Sequence, residues 1–274
     1  MRVHHLDAGG TRPSGGRLFD GRPGVLRRAA GACHCLLVEH SAGLTLVDTG
    51  YGEQALVRPD VWVGRQLIRR SNPVLDQPIA RQVEALGFSR DDVRDIIVTH
   101  LDLDHAGGLA DFPRAAVHVY RDELEAVEGA YGRREKIRYR PVQFEHGPKW
   151  SVYDESDSRE ERWFGFRAVR ELRGLPSEIL VVPLAGHTRG HVGVAVDTGN
   201  GWLLHAGDAY TFHGQMAEKP SMPPGLRAFQ WAMDTRRPSR IDNQQRLREL
   251  VRDNADTVTV FSAHCATEFE RLRR

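Results

Sequence analysis

The sequence predicts an α/β fold in one domain spanning residues 1–274. Two observations carry that prediction. Short apolar runs of strand length recur along the chain, with a helical pattern feeding directly into a strand between residues 78 and 99, and neither a compositional break nor a short-period repeat divides it. Composition agrees: 40% hydrophobic and 27% charged residues are ordinary globular values, which excludes disordered, fibrous and coiled-coil chains.

Residues 33–39 (CHCLLVE) and 43–48 (GLTLVD) read as a strand pair across the turn-forming His40, Ser41 and Ala42, ending at Asp48-Thr49-Gly50. Residues 51–76 are punctuated by Pro59, Gly64 and Pro73 yet hold Trp62, Leu67 and Ile68, so they are too apolar for a linker and are expected as an inserted lid or packing segment. Ile79, Val83 and Leu86 recur at helical spacing before Gly87, which predicts a helix over 78–87, and 95–99 (DIIVT) reads as a short buried strand running into His100. A strand at 116–120 and a helix at 122–127 follow. Residues 129–162, polar and broken by Pro and Gly, read as a second inserted surface segment. Strand patterns resume at 166–172, 179–183, 192–197 and 202–205, and a Pro-rich loop carries Pro220, Pro223, Pro224 and Pro238. Ser239 with Asp242 three residues on has the form of a helix cap ahead of Leu247, Leu250 and Val251, and 257–262 is the last strand.

Thirty-eight basic residues against 37 acidic ones give a formal charge of +1, so the chain lacks the basic field that drives binding to nucleic acid or anionic membranes. A small-molecule substrate is the expected partner, and the sequence leaves room for a homodimer. Cys33, Cys35 and Cys265 fall far short of a disulfide framework. With no apolar leader at the N-terminus and no run near the ~18 apolar residues of a membrane span, a cytoplasmic location is expected.

The densest polar cluster is Thr99-His100-Leu101-Asp102-Leu103-Asp104-His105-Ala106-Gly107-Gly108, with four potential metal ligands in six residues directly after an apolar strand. Such a cluster is costly to bury unless a cation binds there. Side chains of an extended segment alternate, so His100 and Asp102 can point at one ion while Asp104 and His105, at the following turn, reach a second. Gly107 and Gly108 let backbone crowd the site. Three more polar turns each follow an apolar strand: Gly186-His187-Thr188-Arg189-Gly190-His191, Ala206-Gly207-Asp208-Ala209 and Ser262-Ala263-His264. Two cations ~3.5–4 Å apart call for about seven protein ligands, one carboxylate being shared, and the chain supplies that inventory.

This ordered set resembles the metallo-β-lactamase superfamily, whose signature is HxHxDH, then a distant His, a bridging Asp and a last His, all after an early Asp-Thr-Gly turn. Here these are His100 to His105, His187, Asp208, His264 and Asp48-Thr49-Gly50. The resemblance covers about residues 33–265, and CHCLLVE, LTLVDTG and DHAGGL look most like the acyl-homoserine lactonase branch. It implies a four-layer αββα sandwich of two similar halves, metals at one edge between the sheets, and a hydroxide bridging them as nucleophile. Carried over position by position, His100, Asp102, His187 and Asp208 would hold the first metal, and Asp104, His105, Asp208 and His264 the second. Asp104 would also orient the nucleophile or move its proton.

Asp102 departs from the pattern, giving HxDxDH where the family has HxHxDH. A hard oxygen ligand replaces an imidazole, so zinc is the first expectation for the two divalent ions while manganese or iron gains ground. Lactonases carry a Tyr three residues after the bridging Asp; that position is Thr211 here, and Tyr210, one residue earlier, is the candidate oxyanion donor. His191 is expected beside the ligands, His205 in the core, and Cys33 and Cys35 as packing residues. The features together imply metal-dependent hydrolysis of an ester-like bond, a lactone first and a thioester next. The competing classes are an iron-dependent oxidoreductase of flavodiiron or persulfide dioxygenase type, and a non-catalytic relative that keeps the fold for binding.

Overall fold

A computed structural model of the protein describes residues 1–129, 135, 138–158 and 162–273. Two β-sheets form its centre. The first holds β1 (Arg2–Asp7), β2 (His34–His40), β3 (Gly43–Val47), β4 (Val93–Ile97), β5 (Ala116–Tyr120) and β6 (Lys149–Tyr153) in that spatial order. Its first three strands pair antiparallel and the rest parallel. The second holds β7 (Ile179–Pro183), β8 (Val192–Asp197), β9 (Trp202–His205) and β10 (Val258–Phe261), with β7, β8 and β9 antiparallel and β9 parallel to β10.

Strand period sorts the apolar residues into three cores. In β2, Leu36 and Val38 face the second sheet and pack with Val194, Val196 and Phe261, whereas Cys35 and Leu37 face outward onto Ile79, Ala80 and Val83 of the helix Ile79–Ala85. The outer face of the second sheet, with Leu180, Ala195 and Leu204, packs on Leu247 and Leu250 of the helix Arg237–Asp253. Because helices cover both outer faces, each central strand is apolar on both sides, and the layering is αββα.

Several elements differ from the sequence reading. Residues 166–172 form no regular strand. Phe166 and Ala168 belong to the outer core and Val169 and Leu172 to the inter-sheet core, so the segment crosses the sheet edge and pairs with β7 at Val169 and Val181 alone. The helix expected to be capped by Ser239 begins at Arg237, with Pro238 in its first turn where a missing N–H costs nothing. Part of the Pro-rich loop is the helix Pro224–Met233. The segment 129–162 is more than a surface excursion, since β6 completes the first sheet. It and β1 are half-buried edge strands whose polar residues hide the alternation. Residues 51–76 form short helices that bury Tyr51, Ala55, Trp62 and Val63 against Leu103, directly behind the ligand-rich turn.

Candidate metal centre

The turn at 99–108 leaves β4 and enters the short helix Leu103–Ala106. Its tight path depends on glycine: a Cβ at Gly107 or Gly108 would lie 2.6 Å from the Tyr51 carbonyl oxygen or 2.5 Å from that of Thr49. Thr49 Oγ1 donates to the His105 carbonyl at 2.9 Å, which ties the Asp-Thr-Gly turn to the ligand turn.

Three imidazoles have Nδ1 fastened, which fixes where Nε2 points. His264 Nδ1 donates to the Ala32 carbonyl (2.9 Å), and His105 Nδ1 donates to Asp48 Oδ2 (2.7 Å). Thr99 Oγ1 donates to the same Asp48 oxygen (2.8 Å) and accepts from His100 Nδ1 (3.0 Å). Asp48 takes this place from a left-handed backbone conformation, φ 60°, at the end of β3. With the proton on Nδ1, each Nε2 offers a lone pair to the interior of the cluster.

Those lone pairs converge with carboxylate oxygens. His187 Nε2 and His100 Nε2 lie 3.1 and 3.3 Å from Asp102 Oδ2. On the other side, His264 Nε2 lies 3.6 Å from Asp104 Oδ2 and 3.3 Å from His105 Nε2. Asp208 sits between: Oδ2 is 3.1 Å from His264 and 3.4 Å from His187, and Oδ1 is 3.5 Å from His105. The sets His100/Asp102/His187, Asp104/His105/His264 and His100/His105/Asp208 each bring their donor atoms within 4.8 Å of one another. Two imidazole nitrogens aimed at each other at 3.3 Å repel unless a proton or a metal cation lies between them. His100 Nε2, Asp102 Oδ1 and Asp208 Oδ1 are moreover buried with no hydrogen-bond partner. The donor set therefore fits divalent cations.

Charge is arranged to match. Burial opposes ionisation of Asp208, yet His264, His105 and His187 hold its carboxyl well below the usual range. Burial likewise opposes Asp102, and the Arg138 guanidinium, then His100, outweigh it. His264 is pushed up to about 9, since Asp208 and Asp104 overcome its burial. For His187, burial and then the Arg138 guanidinium lower the value.

His191 stands behind the cluster: its Nδ1 donates to the Leu184 carbonyl (3.1 Å) and its Nε2 accepts from Asp208 N (2.8 Å). Gly207 permits that bond, because a Cβ there would lie 2.5 Å from His191 Nε2. Tyr210 corrects an expectation. It is fully buried in the outer core, and its hydroxyl donates to Glu268 Oε1 (2.9 Å), so its polar end is committed to the helix Ala266–Leu272 and not to a reacting carbonyl. His213 faces Cys265, Nδ1 to Sγ 3.4 Å.

Two residues that sequence reasoning missed brace the site. Glu123 is buried and accepts from Leu101 N and Tyr139 Oη with Oε1 (2.9 and 3.0 Å) and from Gly190 N with Oε2 (3.1 Å), so one carboxylate joins both ligand turns. Arg138 places Nη1 3.1 Å from Asp102 Oδ2 and donates to the His187 carbonyl at 3.3 Å. One acid among several in a helix and one Arg among several in a polar segment carry no signal in one sequence.

The family model of the metallo-beta-lactamase superfamily matches residues 28–264. The chain belongs to the metallo-beta-lactamase superfamily. Within this superfamily it is 38% identical over 265 residues to a probable metallo-hydrolase of Mycobacterium tuberculosis, covering 96% of this chain and 80% of that one. The N-acyl homoserine lactonase AiiA of Bacillus thuringiensis subsp. kurstaki is 34% identical over 95 residues, 34% of this chain and 38% of that one. In three dimensions the fold matches an N-acyl homoserine lactone hydrolase solved with the product N-hexanoyl-L-homoserine at its catalytic metal center, at TM-score 0.72 and 19% identity over 99% and 96% of the two chains. AidC, a dizinc quorum-quenching lactonase, matches at TM-score 0.62 and 18% identity over 96% and 86%. The superfamily's αββα layering is thus met here, and the protein is a metal-dependent hydrolase. Among the described residues no helix is long and apolar enough to cross a membrane.

Proposed function

We propose that the protein opens lactone rings at a dinuclear centre, with zinc as the first metal and N-acyl homoserine lactones as the first substrates to try. The observation that carries this reading is the position of Asp208, whose two oxygens lie within 3.5 Å of His105, His187 and His264 and so reach both groups of ligands. His100, Asp102 and His187 would hold one cation, and Asp104, His105 and His264 the other. Bound there, such ions supply Lewis acidity toward a carbonyl oxygen and lower the pKa of water.

The chain's own residues do the rest. Asp48, Thr99 and the Ala32 carbonyl hold imidazole tautomers, and His191 holds the backbone of Asp208. Asp104 is the carboxylate placed to accept a proton: its side chain is 23% exposed beside His264 at 21%, whereas His100 is sealed at 0%, so substrate reaches the centre from the Asp104 side. A carboxylate beside His264 can take the proton of an attacking water and return it to the leaving alkoxide.

Ring opening releases a proton, so a pH-indicator assay on the zinc-loaded protein tests the reading with a lactone, a thioester and a phosphodiester. Lactone turnover at least ~10-fold above the other two in kcat/KM supports it. Preference for the thioester or the phosphodiester overturns the substrate class. Nothing in the relatives above favours redox chemistry, each being described as a hydrolase or a lactonase.

A further inference from the structure

Asp102 is where the chain departs from HxHxDH, and a buried cation meets it there. Arg138, with its side chain 5% exposed, reaches the Asp102 oxygen that also faces His187 and His100. Its Nη1 also donates to the His187 carbonyl and its Nη2 to the Met233 carbonyl, so both arms of the fork are held by protein groups. Neighbouring residues hold the same stretch of chain over the ligand turns: Glu135 pairs with Arg189 at 2.5 Å, and Tyr139 donates to Glu123.

A neutral imidazole brings no charge to a metal site, whereas an aspartate brings one negative charge. Asp102 together with Arg138 again sums to none. A guanidinium on a ligand oxygen also draws electron density from it, which softens the difference between carboxylate and imidazole. We propose that Arg138 is the resident counter-charge of Asp102, so that the pair presents an oxygen donor with the net charge of the histidine it replaces and keeps this HxDxDH centre selective for zinc. Arg138 is thus a positioning residue. The inference rests on the dinuclear reading above for its metal arm, while its electrostatic arm stands on the pair alone.

The experiment is a double-mutant cycle with Arg138→Met and Asp102→His, read in two ways. The first is the melting temperature of the metal-free full chain. Arg138→Met leaves Asp102 buried without its partner and should lower the melting temperature by about 5–10 °C, and by less than half of that in the Asp102→His background. The second is the ratio of manganese to zinc affinity in chelator competition. Arg138→Met should raise it about tenfold, Arg138→Lys should leave it within about threefold, and Arg138→Met on top of Asp102→His should leave it unchanged. If Arg138→Met does not fold, recovery of soluble protein on adding Asp102→His supports the pair, and failure of the double variant overturns it. Equal melting losses in both backgrounds, or an unmoved metal ratio in a folded Arg138→Met protein that binds two equivalents, would reduce Arg138 to a structural brace and overturn the proposal. Fewer than two equivalents bound by the unsubstituted chain would instead break the dinuclear reading, and the metal-free cycle would still decide the pair.

Discussion

His100, Asp102 and His187 have side chains 0%, 10% and 5% exposed, while Asp104 and His264, across Asp208 from them, stand 23% and 21% exposed. The sealed side is braced by a guanidinium and a second buried carboxylate, those of Arg138 and Glu123. The open side is braced by Asp48 on His105 and by the Ala32 carbonyl on His264. In the reading proposed above the two sides divide the work: burial and a counter-charge would set which cation the sealed side accepts, and solvent access would let the open side exchange water, proton and substrate.

Asp208 belongs to both sides, so its loss gives the largest effect. Asp208→Ala should release both metal equivalents together and lower kcat/KM at least ~10³-fold; metal analysis that finds one equivalent retained would show that the two sides do not share this carboxylate. Asp48→Asn comes next, because it removes the carboxylate that holds His105 Nδ1 directly and reaches His100 only through Thr99. Affinity at the open side should fall about 10–100-fold with the first equivalent retained, and a titration in which the tight equivalent is lost first would reverse the comparison.

Proton linkage sharpens the contrast further. His264 is raised to about 9, so below that pH the metal-free ring is protonated and a cation must displace the proton. Affinity at the open side should therefore climb at least about tenfold per pH unit from 7 to 9, since His105 on the same side, despite its burial, is likewise held well above the usual range by Asp48 and Asp208. His187 on the sealed side should contribute no such slope, since burial and Arg138 depress it. Calorimetry in buffers of differing ionisation enthalpy counts the protons released, and none released with the weaker equivalent would remove His264 from the argument. The smallest effect belongs to Tyr210→Phe, which leaves Glu268 Oε1 without its donor: stability should drop by about 1–2 kcal/mol in urea unfolding while kcat stays within about twofold. A large loss of kcat would return Tyr210 to the reacting centre.

Much of this was legible from the chain. The buried strands β2 to β5 and β7 to β10 have apolar runs because both faces are covered, and β4, β7, β9 and β10 each lead into a ligand-rich turn. The half-exposed edge strands β1 and β6 could not be read, because mixed residues on an edge carry no alternation to detect. The segment 166–172 misled for a different reason: its apolar residues serve two cores at once, which imitates a strand in composition while preventing a ladder.

The sequence by itself determined the ligand inventory, its order and an α/β class, because ligands clustered at strand ends and apolar runs of strand length are local features of the chain; the αββα layering followed only from the family resemblance that those ligands carry. It also determined that one position, Asp102, carries a charge that the related pattern lacks. Tertiary structure alone decided what meets that charge. Arg138 lies 36 positions away in a segment with no periodicity, and it reaches Asp102 only when the chain between β5 and β6 folds over the ligand turns. The same holds for Tyr210, two residues from Asp208, whose hydroxyl enters the outer core because backbone direction after a glycine-bent turn, and not spacing, sets which way a side chain faces.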